Sequence, residues 1–237
     1  MTTTDSGIRL TPLLEAGNDE VAVAVLREYF GSGSDGAGPG FRGRYFDSFD
    51  LTGTRASSAD RFTSDDLVAV SMLSVEILGA AAEAILIDRA DTFADLLHAI
   101  GPDRDLVDLP DISKSAYPAA WELYAELRSV RGLGATKVSK LMARKRPRLI
   151  PIYDSKIRSY ALGETRGLYW EPLHAALTAD NRSLHRTLVG LRDQAGVPTN
   201  ISAIRVFDVL TWMEATGAAD KIRQRLRAPS TGAPGSA

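Results

Sequence analysis

The segment Gly132-Leu133-Gly134 places two glycines between two stretches of helical periodicity. Glycine tolerates the left-handed backbone that a tight turn needs, and the residues after Gly134 can begin a helix at once. Backbone N–H groups of such a turn point outward, beside the positive end of the next helix dipole. The segment therefore predicts two helices joined by a phosphate-binding hairpin. A plain glycine-containing turn between two helices is the simpler alternative.

Cationic side chains are concentrated around this hairpin. Residues 128–158 contain ten lysines and arginines and a single carboxylate, so the segment carries a net charge of +9. The whole chain has a net charge of −2, which leaves −11 on the remainder. Such segregation focuses positive potential on one face and indicates a polyanionic partner such as a nucleic acid. The cluster at 144–148 is interpreted as a DNA contact, with a solvated loop as the alternative.

Composition excludes several classes of protein. A chain of 237 residues suits one large domain or two lobes. Such a chain can bury roughly 70% of the surface that it exposes when unfolded, so it needs neither a disulfide nor a metal to fold. The absence of cysteine excludes thiol catalysis and iron–sulfur clusters and favours an intracellular location. No apolar run reaches the roughly 18 residues of a membrane span, and the start of the chain is polar. We expect a cytoplasmic monomer without a membrane partner.

Helical periodicity dominates the chain, and the expected fold class is all-α. A capping pair, Thr63 and Asp66, predicts the start of one helix. The segment Phe41–Leu51 alternates aromatic and charged residues and is the one candidate for extended structure. The other predicted helices cover Asp19–Phe30, Ala80–Ile87, Phe93–Ile100, Ala119–Ser129, Ala135–Arg144, Ser155–Leu162, Glu171–Leu177, Asn181–Gln194 and Ile201–Thr216.

Asp154 is the single acidic residue of the cationic segment. It follows Pro147 and Pro151, which prevent the preceding helix from continuing, and it stands directly before the next helix. Aspartate at this place is a favoured N-cap that contributes roughly 1 kcal/mol to a helix. A carboxylate beside a phosphate-binding hairpin is also a candidate catalytic group. The sequence leaves both roles open.

Together these features resemble the DNA glycosylase superfamily that includes endonuclease III and the adenine glycosylases. Its members carry a Leu-Pro-Gly-Val-Gly type of hairpin and then a catalytic aspartate that opens a helix. Here Asp154 stands 22 positions after Gly132, as in endonuclease III, and Ser155-Lys156-Ile157 fits the trailing pattern. The apolar stretch 67–74 is similar to the first helix of that family's helical lobe.

The resemblance implies a two-lobed helical fold of the helix–hairpin–helix glycosylase type. Residues 62–150 would form the lobe with the hairpin, and residues 8–61 with 151–227 the second lobe. The tails, 1–7 and 228–237, and the glycine-rich tract Gly31–Gly40 are expected to be disordered or loop-like, because they cannot bury enough apolar surface to order themselves.

The resemblance further implies a base excision repair enzyme that hydrolyses the N-glycosidic bond of a modified base, with Asp154 as the catalytic group. A flipped nucleotide would lie between the lobes, while the hairpin and nearby side chains hold the DNA backbone. In that family an alkali cation bound by the hairpin carbonyls commonly assists in holding the DNA phosphate. No other cofactor or metal is expected. The DNA-binding residues so implied are Gly132, Gly134, Thr136, Lys137, Lys140, Arg144 and Arg146.

Two positions depart from the family pattern. Bifunctional members carry a Schiff-base lysine where this chain has Thr136, so a monofunctional enzyme is expected. Glu76 aligns with a glutamine that fills the space left by the flipped base, and an anion is poorly suited to face DNA. A non-catalytic DNA-binding protein on the same scaffold is therefore the alternative, and a hairpin that contacts protein or RNA is a third hypothesis. The sequence does not identify the base.

Overall fold

The protein is all-helical in the computed structural model, which describes residues 4, 7–32, 40–162 and 170–228. Over these residues there are ten α-helices and no strand, so the predicted all-α class is confirmed. The helices are α1 Asp19–Phe30, α2 Ser64–Ser71, α3 Gly79–Glu83, α4 Ala90–Ile100, α5 Pro118–Ser129, α6 Ala135–Lys145, α7 Ser155–Ala161, α8 Trp170–Gln194, α9 Ala203–Ala215 and α10 Ala218–Arg227. Most residues of the predicted disordered tails and of the glycine-rich tract lie outside the described residues.

Most predicted helix boundaries agree with the structure, and α1 agrees at both ends. The capping box is present: Thr63 N donates to the Asp66 carboxylate at 2.9 Å. α8 spans two predicted helices, and left-handed backbone angles at Asp180, Asn181 and Arg182 separate its halves.

Three expectations were incomplete or wrong. The alanine-rich stretch is divided between α3 and a turn of π-helix, Ala84–Asp88. Extended structure at Phe41–Leu51 was wrong, because the segment contains a 3₁₀ turn, Arg42–Tyr45, instead. α10 was missed: its pattern is strongly charged and carries few apolar residues.

The helices pack in two groups. α5 packs on α4 and α6, and α2 packs on α6, while α9 packs on α1, α7, α8 and α10. The 3₁₀ turn Leu106–Asp108 contacts α8 and so links the groups, and a single hydrophobic core runs through both. The grouping follows the chain order of the expected lobes, and the division into two lobes stays a prediction. No helix in the described part of the chain is long and apolar enough to cross a membrane.

A buried ion cluster fastens α6 to α2. Arg144 Nε donates to Asp66 Oδ1 at 3.1 Å, and Lys145 Nζ lies 2.5 Å from Asp66 Oδ2. Arg144 also donates to the backbone carbonyls of Phe46 and Phe49, which lie outside both helices. The C-terminal half of α6 is therefore held in place by its own cationic side chains.

Candidate functional site

The hairpin, residues 130–134, connects α5 to α6 by a tight turn. Leu133 N donates to Val130 O at 3.1 Å, and Gly132 has a φ of 89°. A positive φ explains this glycine, since other residues avoid it. The Leu133 side chain is 3% exposed and packs in the core. This anchor fixes the hairpin, while both glycines remain exposed to solvent.

Gly134 needs a different explanation, because its backbone is extended, with φ −82° and ψ 169°. A Cβ atom at this position would meet nothing within 4 Å. Neither the backbone nor internal packing requires glycine here. Gly134 also precedes α6, which has no side-chain cap and no acidic residue in its first turn. The absent side chain thus leaves uncapped N–H groups accessible from outside.

Asp154 is the N-cap of α7, and both of its carboxylate oxygens are engaged. Oδ1 accepts from Lys156 N at 2.9 Å, and Oδ2 accepts from Lys140 Nζ at 3.0 Å. The side chain is 17% exposed. The carboxylate is therefore held in one orientation, and each oxygen retains a lone pair for a further partner.

Lys140 does not reach the surface. Its side chain is 4% exposed, and besides Asp154 its ammonium group donates to Leu73 O at 2.9 Å. Burial lowers the pKa of Lys140, and the charge and hydrogen bond of Asp154 partly oppose that shift. Lys140 lies one helical turn after Thr136, so both side chains project from one side of α6. The expected contact between Lys140 and a DNA backbone is replaced by this internal ion pair.

Asp154 lies in the wall of a cavity of about 390 Å³, here called the Asp154 cavity. Thr136 and Lys140 contribute from α6, and the segment 72–75 contributes from beyond α2. The volume lies at the lower end of the range of roughly 300–1,000 Å³ typical of small-molecule sites.

Three aromatic side chains form one wall of the Asp154 cavity. The rings of Tyr29 and Phe41 are stacked with centroids 5.5 Å apart, and Trp212 meets Phe41 edge-on at 5.7 Å. Phe41 and Trp212 are half-buried, so part of each ring is accessible. A cavity lined by aromatic rings and a carboxylate suits a ligand that has both a flat ring and a polar part.

Buried charges support this wall from behind. Arg205 Nε donates to Asp47 Oδ2 at 2.9 Å, and Arg205 Nη2 donates to the Tyr29 hydroxyl at 3.0 Å. Asp208, also in the cavity wall, accepts from Ile152 N at 3.3 Å. Burial raises the pKa of Tyr29, so its hydroxyl stays protonated at neutral pH. Asp47 and Asp208 are therefore parts of the core, and the residues that they hold shape the cavity.

Two of the predicted DNA-binding cations are structural. Arg144 and Arg146 are each 2% exposed. Arg146 pairs with Asp60 and donates to the carbonyls of Gly101 and Leu97 at 2.7 Å each. Such side chains cannot reach a DNA backbone, so the interpretation of 144–148 as a DNA contact was wrong for these two arginines. Much of the +9 charge counted along the sequence is neutralised inside the protein.

Other cations remain accessible around the Asp154 cavity. Arg42 and Lys156 are exposed side chains of its wall, and Arg131 is exposed at the hairpin. None of these three forms an ion pair with a described residue. Sequence reasoning missed Arg42 and the aromatic wall because they come from α1, α9 and the segment after the glycine-rich tract, far from the hairpin in sequence. The spacing of the aromatic residues along the sequence gave no signal of a shared cavity.

The fold and the site define an all-helical protein with a glycine hairpin beside an aspartate-bearing cavity. The chain belongs to a family of unknown function, DUF6308, whose model matches residues 22–215. The matched region contains the hairpin, Asp154 and the aromatic wall. Neither the curated proteins nor the solved structures provided a match.

Proposed function

We propose that the protein is a monofunctional DNA glycosylase that hydrolyses the N-glycosidic bond of a modified or damaged base, acting as a cytoplasmic monomer. One observation carries the proposal: Asp154 lines a cavity that also has aromatic rings in its wall, and an exposed glycine hairpin precedes it in the chain. Each part suits one step of base release, namely holding the backbone, accepting a flipped nucleotide and stabilising the charge that develops on the sugar.

The geometry of the hairpin supports the proposed binding of the DNA backbone. The uncapped N–H groups of α6 and the bare backbone at Gly134 offer donors to a phosphate, as helix N-termini commonly do. Arg131 and Lys156 add sequence-independent attraction that weakens with salt. The duplex would approach over the hairpin and over the mouth of the Asp154 cavity.

Chemistry is supported by the Asp154 carboxylate. As the glycosidic bond breaks, positive charge develops on the sugar, and a fixed carboxylate in a partly buried site stabilises it. The same carboxylate can accept a proton from the attacking water. The hydrogen bonds from Lys156 N and Lys140 Nζ hold the carboxylate in one orientation.

Base recognition is assigned to the aromatic wall. A flipped base lying against Phe41 and Trp212 gains stacking energy of roughly 1–3 kcal/mol, which offsets the loss of stacking in the duplex. Thr136, which also lines the cavity, stands at the position that the resemblance assigns to the Schiff-base lysine, whereas the two amines of the cavity wall, Lys140 and Lys156, stand at other positions. Base release without strand cleavage is therefore the expected activity.

The test is a panel of duplex oligonucleotides with uracil, alkylated, oxidised and phage-type modified bases, treated with alkali after incubation to reveal abasic sites. We expect strand breaks for at least one base only after alkali. Asp154→Asn keeps a good cap residue and should abolish base release while leaving DNA affinity nearly unchanged. Release by this variant at the wild-type rate would refute the catalytic role.

A non-catalytic DNA-binding protein is the second candidate, and the engagement of both Asp154 oxygens favours it. In that case Asp154 is a helix cap and the counter-ion of Lys140, and nothing more. No abasic product would then form from any substrate, while replacing Gly132 and Gly134 together would still abolish salt-sensitive DNA binding. A uniformly negative panel with tight binding would support this candidate.

A further inference from the structure

Two side-chain cations of the protein already occupy carbonyl groups of the hairpin. Arg128 Nη1 donates to Leu133 O at 2.7 Å, and Lys137 Nζ donates to Gly132 O at 3.0 Å. Arg128 belongs to the last turn of α5 and Lys137 to the first turn of α6. Each of the two helices thus contributes one positive charge to the turn between them.

An alkali cation, which the resemblance to glycosylases implies for this hairpin, does not fit the arrangement. Such an ion binds by collecting carbonyl oxygens, and here the oxygens of Gly132 and Leu133 face an ammonium and a guanidinium group. A further positive charge beside these two groups would be repelled by both of them. The hairpin carbonyls are therefore unsuited to an alkali ion while both side chains are in place.

We propose that Arg128 and Lys137 replace the alkali cation, so that the hairpin binds a phosphate of DNA equally well in any monovalent salt. The inference rests on the proposed function, since it takes a DNA phosphate as the ligand. Both side chains retain free donors, because a guanidinium carries five N–H groups and an ammonium carries three. Arg128 is exposed and Lys137 is half-exposed, so both charges are accessible to a ligand.

The cations that would bind the DNA backbone are therefore not the ones that the sequence predicted. The side chains of Lys140, Arg144 and Arg146 donate hydrogen bonds to partners inside the protein. Arg128 and Lys137 use theirs on the hairpin itself, where the uncapped N–H groups of α6 lie. The phosphate site would thus consist of backbone donors together with two cations held in place by the turn.

The experiment measures affinity for a fluorescent duplex carrying a tetrahydrofuran abasic analogue, in potassium chloride and in N-methyl-D-glucamine chloride at equal ionic strength. The wild-type dissociation constant should agree within about twofold between the two salts. Arg128→Met with Lys137→Met should weaken binding about tenfold or more in the organic salt, and should lower the salt slope by about one to two, as expected for one or two lost phosphate contacts. Potassium should partly restore this variant, because its freed carbonyls can then accept the ion.

A matched control removes two cations elsewhere. Lys221→Met with Arg227→Met takes the same charge from α10, which packs on α1 and α9, and should leave the affinity and the salt slope close to wild type. Melting temperatures without DNA provide a second measurement: potassium should raise that of the hairpin variant relative to the organic cation, and should leave that of the wild type unchanged.

The outcomes separate this inference from the proposed function. Wild-type binding that requires potassium, or a hairpin variant that binds like the wild type in both salts, would overturn the inference alone. Absence of wild-type binding in both salts would overturn the inference together with DNA binding. The wild-type comparison needs no variant, so it decides the matter even if the double variant does not fold.

Discussion

The ammonium nitrogen of Lys140 lies 3.0 Å from Oδ2 of Asp154, and the two side chains are 4% and 17% exposed. This pair joins α6 to the first residue before α7, at the wall of the Asp154 cavity. The hydrogen bond fixes the orientation of the carboxylate, and the pair also forms a structural link between the two helices. Mutations can separate the stability that this pair provides from the chemistry that we propose for Asp154.

Replacing either member of this pair should destabilise the protein. Lys140→Met or Asp154→Asn leaves a mostly buried charge without its partner, and we expect a loss of about 2 kcal/mol in the free energy of unfolding. The double variant should lose less than the sum of the single variants, with a coupling energy of about 1–2 kcal/mol. Urea unfolding of the four proteins measures this coupling. Strict additivity would show that the contact contributes nothing.

The cap can be separated from the ion pair with Asp154→Ala. Asparagine still accepts the Lys156 N–H hydrogen bond, whereas alanine does not, so the alanine variant should be less stable than the asparagine variant by about 1 kcal/mol. Equal stability of the two variants would mean that α7 does not depend on this cap.

The two hairpin glycines should respond differently to alanine. Gly132→Ala places a side chain at a φ of 89° and should cost about 1 kcal/mol or more of stability. Gly134→Ala meets no internal obstacle and should leave stability unchanged within about 0.5 kcal/mol. If a phosphate approaches this position, Gly134→Ala should nevertheless weaken DNA binding severalfold. Unchanged DNA affinity of Gly134→Ala would show that the hairpin is only a structural turn between two helices.

Sequence patterns specified the helices well but located the charges poorly. Helix ends follow from local chemistry, as with the Thr63 and Asp66 capping box or the proline-bounded start of α7, and this information lies within a few residues. The burial of Arg144 depends instead on Asp66 and on carbonyls near residue 46, almost a hundred positions away. A count of charges along the chain cannot show which of them are paired in space.

The candidate site likewise has one part that the sequence predicted and one part that it did not. The hairpin and Asp154 are neighbours in sequence and were identified from spacing. The aromatic wall brings Tyr29, Phe41 and Trp212 together from three distant segments, and each of them alone resembles an ordinary core residue. Lys140 was identified as a functional cation, but its partner was not, since the pair forms only when α6 and the start of α7 pack.

Arg144→Lys tests the structural role of a predicted DNA contact. Lysine keeps the charge but loses the planar fork that reaches Asp66 and two carbonyls at once, so stability should fall by about 2–4 kcal/mol. The salt dependence of DNA binding should not change in the folded variant. Arg131→Lys is the matched control at an exposed position and should leave stability unaltered. If the DNA affinity of Arg144→Lys depended less steeply on salt concentration than that of the wild type, Arg144 would be a DNA contact after all.

Asp103 should make stability depend on pH. Burial raises its pKa to about 6, although the Arg148 N–H and the charges of Arg148 and Arg146 oppose the shift. The raised pKa means that the folded state binds the proton more tightly than the unfolded chain, whose aspartates titrate near about 3.9. Stability from this group is therefore complete below about pH 4 and is lost as pH rises through about 6.

Asp103→Asn removes this titration and keeps a side-chain oxygen for the Arg148 N–H, which Asp103 accepts at 3.0 Å. After allowance for solvent screening, the variant should exceed the wild type in free energy of unfolding by about 1 kcal/mol at pH 7.5, with the difference vanishing near pH 4. Urea unfolding at both pH values measures it. Because every other titratable group is common to the two proteins, the difference isolates Asp103. Parallel pH profiles would show that Asp103 is hydrated and titrates normally.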